Sequence, residues 1–232
     1  MKNTVRKIAF AAVFSVLCLL MSVPSFAAKK KVAVSGKSVL YLQKSKTFDI
    51  YGSQITQYKY SCKIKGKTAK NKWKSFKVDG KAWRFYFGRN GIAYAGTYQK
   101  NYDGTVISMP VIKKISGKQY AFDEFGHMLK GIHVADQKLW FFGSDGKMNK
   151  TKSKRLQKLS SENSDYSKLA ALLKKYGAKQ KKFETMPGCN TINGMETLDF
   201  VATYADFQIS GGKTVDDGKM YVYNQGLLEI RS

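Results

Sequence analysis

The sequence predicts a mainly β protein: a short solenoid of β-hairpins followed by a small α+β domain, in which one helix packs on a three-stranded antiparallel sheet. Three observations support this fold class. Three segments share one spacing of aromatic residues and glycine. After about residue 160 the apolar period becomes that of an amphipathic helix, and the final 35 residues return to short β-type runs separated by turns.

The shared spacing is an aromatic residue, any residue, Phe, three residues, Gly, four residues and a small residue. Alternating aromatic residues are typical of a strand, and Asn-Gly or Asp-Gly adopts positive φ at low cost in a turn. A single hairpin cannot bury its aromatic face alone, so neighbouring hairpins must stack. The predicted repeat-core residues are Phe85, Phe87, Tyr120, Phe122 and Phe142, and the predicted turn residues are Gly91, Gly126 and Gly146.

The spacing divides the chain before residue 160. Residues 73–151 form the predicted repeat array, and an insertion within 97–116 separates its first two units. Residues 28–72 contain short β-type runs between Lys, Ser and Gly. These runs are either degenerate hairpins that continue the array or a separate β cap.

Residues 160–232 form the predicted C-terminal domain. Ser164 or Asp165 can cap a helix whose apolar residues recur from Tyr166 to Tyr176, and Gly177 is a suitable stop. Residues 198–209, 219–223 and 227–230 then have strand patterns, with turns at 217–218 and 224–226. The polar run 149–161 has no large core pattern and is interpreted as a boundary.

Residues 73–151 resemble the cell-wall-binding (choline-binding-type) repeats of Gram-positive surface proteins, whose relatives include glucan-binding repeats. The segment Lys138–Met148, KLWFFGSDGKM, carries the resemblance most clearly. It implies a hairpin solenoid that attaches to a wall polymer such as teichoic acid, or to a surface glycan. In that family a quaternary ammonium sits in an aromatic cage through cation–π attraction. The residues of this chain that could build such a cage are Trp73, Trp83, Tyr86, Trp140 and Phe141.

Residues 1–27 match a secretory signal peptide. Lys2, Arg6 and Lys7 precede an apolar run of 14 residues, and small residues stand three and one positions before a cut after Ala27. The run is too short to cross a bilayer comfortably, and no later stretch approaches membrane length. We therefore expect a secreted, wall-associated protein with no transmembrane segment after cleavage.

The net charge of +25 includes 36 Lys and only five Arg. Lys acts as a solvated point charge, whereas Arg is favoured where a planar fork must grip phosphate or a base edge. This composition favours diffuse attraction to a polyanion over specific nucleic-acid recognition. Solubility alone is the alternative explanation of the charge.

Two cysteines remain after signal cleavage, Cys62 and Cys189. Export permits a disulfide between them, and two unpaired thiols are equally compatible with the sequence. We find no paired-carboxylate, metal-ligand or nucleophile motif, so the sequence predicts no cofactor, no metal site and no enzyme activity. Cys189, between Gly188 and Asn190, is the one candidate for a reactive thiol.

These observations predict a non-enzymatic, envelope-associated binding protein whose oligomeric state the sequence leaves open. One alternative assigns a protein-binding or inhibitory role to residues 160–232, with the repeats as a tether. A second places a small hydrolase or thiol enzyme in the same C-terminal domain.

Overall fold

The computed structural model describes residues 27–49, 52–100, 104–192 and 195–230, without the side chains of 188–196. The predicted signal peptide therefore lies almost wholly outside the described residues. In the described part the chain is mainly β, with many small antiparallel sheets, none of which closes into a barrel.

An N-terminal sheet of four antiparallel strands opens the fold, in the order β1-β2-β3-β4. Its strands are β1 (Lys30–Ser35), β2 (Ser38–Phe48), β3 (Gln54–Ile64) and β4 (Lys67–Thr68). Residues 28–72 were predicted as degenerate hairpins or as a β cap. The described strands between Lys30 and Thr68 form one sheet around the long β2–β3 pair, which is in register from Ser38–Ile64 to Phe48–Gln54.

Three two-stranded hairpins follow, and a fourth, β7–β8, lies between the first two. Hairpin one is β5 (Lys72–Val78) with β6 (Lys81–Phe87), and the inserted pair is β7 (Thr97–Lys100) with β8 (Val106–Met109). Hairpin two is β9 (Val111–Ile115) with β10 (Lys118–Phe122). Hairpin three is β11 (Gly131–Ala135) with β12 (Lys138–Phe142). The tight turns of hairpins one, two and three are Asp79-Gly80, Ser116-Gly117 and Asp136-Gln137, and all six residues have positive φ. Two successive positive φ values match the twist of the flanking strands.

The three hairpins share a second turn, which contains the predicted glycines. Gly91, Gly126 and Gly146 have φ of +77°, +79° and +81°. In each unit the turn returns the chain to the last residue of the hairpin, through the bridges Phe87–Ala93, Phe122–Met128 and Phe142–Met148. The equal sequence spacing therefore corresponds to equal backbone geometry.

Each returning residue also bonds the preceding unit. The amide of Ala93 donates to Tyr60 O of β3, that of Met128 to Arg84 O of β6, and that of Met148 to Gln119 O of β10, at 2.8–2.9 Å. The turn glycines are equally close to the preceding unit: a Cβ on Gly126 would lie 2.9 Å from Tyr94 O. Successive hairpins are therefore joined both by backbone hydrogen bonds and by close packing at glycine.

The buried residues form three clusters, and each cluster joins different units. The first unites the N-terminal sheet with hairpin one, through residues such as Tyr60, Phe76 and Phe85. The second lies between hairpins one and two. The third unites hairpin three with the C-terminal elements, because Val134 and Leu139 pack with the helices and the last sheet.

The C-terminal region contains two helices and four strands in the described residues. They are α1 (Lys150–Leu159), α2 (Tyr166–Lys175), β13 (Lys182–Ile192), β14 (Met195–Thr203), β15 (Phe207–Thr214) and β16 (Met220–Glu229), with the strands in the order β13-β14-β15-β16. The predicted one helix on three strands was therefore wrong in its count. The α2 prediction is confirmed, including the Asp165 cap, whose carboxylate accepts from Ser167 N.

Helix α1 occupies the run that was interpreted as a boundary. The side chain of its N-cap, Asn149, accepts a hydrogen bond from Lys152 N, and Leu156 is fully buried. One large apolar residue and a cap are sufficient here because the helix packs directly on β12.

The C-terminal strands also differ from their predicted limits. The predicted run 198–209 is broken at 204–206 into β14 and β15. The predicted turn at 224–226 is a bulge inside β16, where the register with β15 shifts between Ile209 and Gly211 and Gln225 has φ of +57°. Gly and Asn near a positive φ fit a bulge as well as a turn.

Candidate ligand-binding surface

Five aromatic rings meet between hairpins one and two, and we call them the aromatic cluster: Trp73, Tyr86, Tyr94, Tyr120 and Phe122. The ring centroid of Trp73 lies 5.1 Å from that of Tyr86, 4.8 Å from that of Tyr120 and 5.9 Å from that of Phe122. Tyr94 contacts both Tyr86 and Phe122. Trp73, Tyr86 and Tyr94 are half-buried, whereas Tyr120 and Phe122 are buried. The cluster thus has a closed floor and partly open outer rings.

The alternation of β6 explains this arrangement. Phe85 and Phe87 point toward the N-terminal sheet and are fully buried there. Arg84 and Tyr86 therefore point the other way, toward hairpin two. Trp73 lies directly opposite Tyr86 in the β5–β6 register and joins them. All five predicted repeat-core rings, including Phe142, are buried.

A cation already lies on the aromatic cluster. The guanidinium carbon of Arg84, an exposed residue, is 4.5 Å from the centroid of the Trp73 ring. Lys113 Nζ is 5.8 Å from the Tyr94 ring. Burial, with a smaller effect of Tyr94, raises the pKa of Tyr86. The cluster therefore offers aromatic faces, phenolic hydroxyls and positive charge at its edge.

Trp83 lies apart from the aromatic cluster, on the opposite face of hairpin one. Its ring is stacked on His127 at 4.0 Å and 12°. The Nδ1 atom of His127 is 2.8 Å from Asp123 Oδ2, and its buried Nε2 has no hydrogen-bond partner among the described residues. Trp83 also lines a groove of about 450 Å³ with Arg84 and Lys130.

Trp140 and Phe141 lie on hairpin three, away from both sites. The Nε1 of Trp140 donates to Ala135 O at 2.9 Å. Phe141 packs edge-on against Tyr176, the C-cap of α2, and Lys152 Nζ lies 4.0 Å from the centroid of the Phe141 ring. The structure therefore brings together two of the five predicted cage residues, Trp73 and Tyr86, and distributes the other three.

Cys62 is 1% exposed, in the core between the N-terminal sheet and hairpin one, and no disulfide joins it to another described side chain. Burial raises its pKa, which disfavours the reactive thiolate. The side chain of Cys189 lies outside the described residues. Pairing of the two cysteines, and any reactivity of Cys189, stay predictions.

Sequence reasoning missed three members of this surface: Arg84, Tyr94 and His127. The alternation of β6 could have placed Arg84 beside Tyr86. Tyr94 follows a turn and approaches Tyr86 only through the return of the chain after Gly91, which the local pattern does not reveal. His127 directly follows the turn residue Gly126, but its stacking on Trp83 depends on the contact between two units.

In the described residues no helix has the length and apolarity needed to span a membrane. No protein-family model matches the chain, and a search of curated proteins finds no significant match.

Among solved structures the chain is similar to the modular Cpl-1 endolysin complexed with a peptidoglycan analogue, with 13% identity and a TM-score of 0.28 over 83% of this chain and 38% of the endolysin. It is also similar to a truncated alternansucrase from Leuconostoc mesenteroides, with 17% identity and a TM-score of 0.28 over 81% of this chain and 14% of that enzyme. The chain thus spans well under half of either protein. At these TM-scores neither likeness carries an argument about function.

Proposed function

We propose that this protein is a secreted, non-enzymatic binding protein of a Gram-positive cell envelope, attached non-covalently to a wall polymer or glycan. Its three matched hairpins form a short solenoid, and its basic charge adds attraction to anionic polymer. The observation that carries the proposal is the aromatic cluster between hairpins one and two.

The composition of the aromatic cluster supports a glycan over a cationic ligand. Arg84 lies on the Trp73 face that a quaternary ammonium would need, and two like charges on one ring repel each other. A sugar ring instead requires apolar faces for stacking and hydroxyl groups for hydrogen bonds. Trp73, Tyr86 and Tyr94 offer both, because their rings are only partly covered.

The experiment that tests the proposal is co-sedimentation of the mature protein with insoluble cell walls from which anionic polymers have been extracted. We expect retention of the unmodified protein and at least a tenfold loss for the double variant W73A/Y86A, since aromatic anchors dominate such binding. Tyr221→Ala, a half-buried tyrosine of β16, is the matched control and keeps its binding. Absence of retention for the unmodified protein, or equal retention of all three proteins, would contradict the proposal.

A further inference from the structure

The positive charge is concentrated in the first part of the mature chain. Residues 27–100 contain 18 Lys and Arg but only two acidic residues, Asp49 and Asp79, for a net charge of +16. Residues 101–232 contain 20 basic and 14 acidic residues, for a net charge of +6. The excess charge therefore belongs mainly to the N-terminal sheet and hairpin one.

Within this region two lysine-bearing turns lie side by side. The turn between β1 and β2 contains Lys37, and the turn between β3 and β4 contains Lys65, whose amide donates to Lys37 O at 3.0 Å. Lys63 and Lys67 flank the second turn on paired strands. All four side chains are exposed, and we call them the lysine edge.

The lysine edge has no compensating acid nearby. Among the described residues no carboxylate lies within ion-pairing distance of Lys37, Lys63, Lys65 or Lys67, whereas Lys147, Lys168, Lys182 and Lys219 each pair with one. Clustered like charges repel each other and hold counterions. A polyanion that replaces those counterions gains free energy from their release.

We propose that the lysine edge binds the phosphodiester groups of a linear anionic wall polymer of the teichoic-acid type. The inference rests on the proposed function, because it takes the envelope as the protein's location. Lys provides point charges for phosphate without the planar fork needed for base recognition. The two turns, residues 36–37 and 65–66, contain only Gly and Lys, so they offer no apolar anchor for insertion into a lipid surface.

The lysine edge and the aromatic cluster are separate contacts. A polymer held at one site is presented to the other at high effective concentration, which raises the overall affinity without a new contact. Loss of either site should therefore weaken attachment to whole walls, while the two sites respond differently to salt.

The test is the binding of the full mature chain to immobilised poly(glycerol phosphate) at 50–200 mM salt. The variant K37Q/K63Q/K65Q/K67Q is compared with K154Q/K158Q/K174Q/K175Q, which removes four exposed helix lysines and has the same net charge. We expect the first variant to lose at least about tenfold in affinity at 50 mM salt, with the slope of log affinity against log salt smaller by about three. The control should show a much smaller loss of affinity and a much smaller change in the salt slope.

Equal losses for the two variants would overturn the inference, because diffuse net charge would then explain the binding. An unchanged first variant would overturn it as well. Binding to vesicles of anionic lipid is measured as well. If the first variant loses affinity only for these vesicles, the inference is overturned, because the partner would then be a membrane surface. Circular dichroism of both variants checks that they fold.

Retention on walls stripped of anionic polymer separates this inference from the proposed function. If the lysine-edge variant and the unmodified protein both bind stripped walls, and they bind poly(glycerol phosphate) with equal affinity, only the inference about the lysine edge is contradicted. If the unmodified protein does not bind stripped walls, the glycan contact at the aromatic cluster fails, while the comparison on poly(glycerol phosphate) still decides the lysine edge.

Discussion

The hairpin array and the C-terminal region stabilise their strands in different ways. In the array each sheet has two strands, and rings of successive hairpins pack on one another, as Trp73 does on Tyr120. In the C-terminal region four strands share one ladder, and aliphatic side chains of two helices, such as Leu156 and Leu169, pack with side chains of the sheet, such as Phe200 and Ile209. A two-stranded unit depends on its neighbour, whereas a four-stranded sheet covered by helices buries its own face. We therefore expect a core mutation in one region to destabilise the strands of that region while those of the other region stay folded.

The largest effect is expected for Phe85→Ala. Phe85 is fully buried and contacts Tyr60, Phe76, Phe87 and His127. Its removal should lower the free energy of unfolding by about 4 kcal/mol. Urea denaturation measures the loss, and hydrogen exchange should show lost protection in β2–β6 while β14 and β15 stay protected. Leu169→Ala in α2, equally buried, should give the reverse pattern; identical patterns would contradict the contrast between the two regions.

The next effect tests the link between the two regions. His133 of hairpin three and Glu229 of β16 form a buried pair, with Nδ1 and Oε1 at 2.5 Å, and Glu229 also accepts from Val134 N. His133→Gln leaves a buried carboxylate without its charged partner, so we expect a loss of about 3 kcal/mol. Thermal unfolding checks this. A loss as small as that of an exposed pair, such as the one broken by Lys168→Gln, would show that the link is not stabilising.

The same pair makes the stability depend on pH. Burial disfavours the charged imidazole, but the hydrogen bond and charge of Glu229 outweigh it and raise the pKa of His133. Burial also raises the pKa of Glu229. Both shifts favour proton binding by the folded state. The stability that these two shifts contribute is therefore fully present at a pH below the ordinary pKa values of the two groups. It is lost as the pH rises through their raised pKa values. Above pH 6.5, unfolding measurements should show a decline in stability that is absent in the double variant His133→Gln/Glu229→Gln, which removes both titrating groups.

A smaller effect distinguishes two glycines of similar φ. Gly126 and Gly117 have φ of +79° and +78°, but a Cβ on Gly126 would meet Tyr94 O at 2.9 Å, whereas Gly117 has open space. We expect Gly117→Ala to cost about 1 kcal/mol from backbone strain alone, and Gly126→Ala about 2 kcal/mol. Urea midpoints measure both. Equal costs would indicate that close approach between units contributes nothing.

The smallest effect concerns the helix that the sequence did not reveal. Asn149→Ala removes the side-chain cap of α1 and should cost about 1 kcal/mol, while Asn149→Ser should recover most of it. Thermal unfolding measures the difference. An unchanged midpoint for Asn149→Ala would mean that packing on β12 alone fixes the helix.

The parts of the fold that could be predicted are those that depend on local backbone chemistry. Gly91, Gly126 and Gly146 require positive φ wherever the chain turns back, so their spacing revealed the repeats. The parts that were missed depend on tertiary contacts. Helix α1 has one fully buried apolar side chain, and residues 182–187 of β13 are exposed, so neither carries a clear periodic signal.

The candidate site divides in the same way. Trp73 and Tyr86 could be predicted because they belong to one hairpin and face each other across it. Tyr120 joins them only when a second hairpin packs on the first, and Tyr94 only through the return of the chain after Gly91. Arg84 belongs to the same hairpin and could have been placed by the alternation of β6. A single sequence contains no signal for which aromatic residues of different units will meet.

The inserted pair β7–β8 has a consequence for how the repeats can evolve. Ile107 of β8 forms a bridge with Ile230 near the C-terminus, and Tyr98 of β7 accepts a hydrogen bond from Thr56 N of the N-terminal sheet. Open-ended arrays gain or lose copies by duplication because each copy contacts only its neighbours. Here one insertion contacts the N-terminal sheet on one side and the C-terminal region on the other, so an added or deleted hairpin would displace those contacts. The number of hairpins in this protein is thus constrained by the contacts of its insertion.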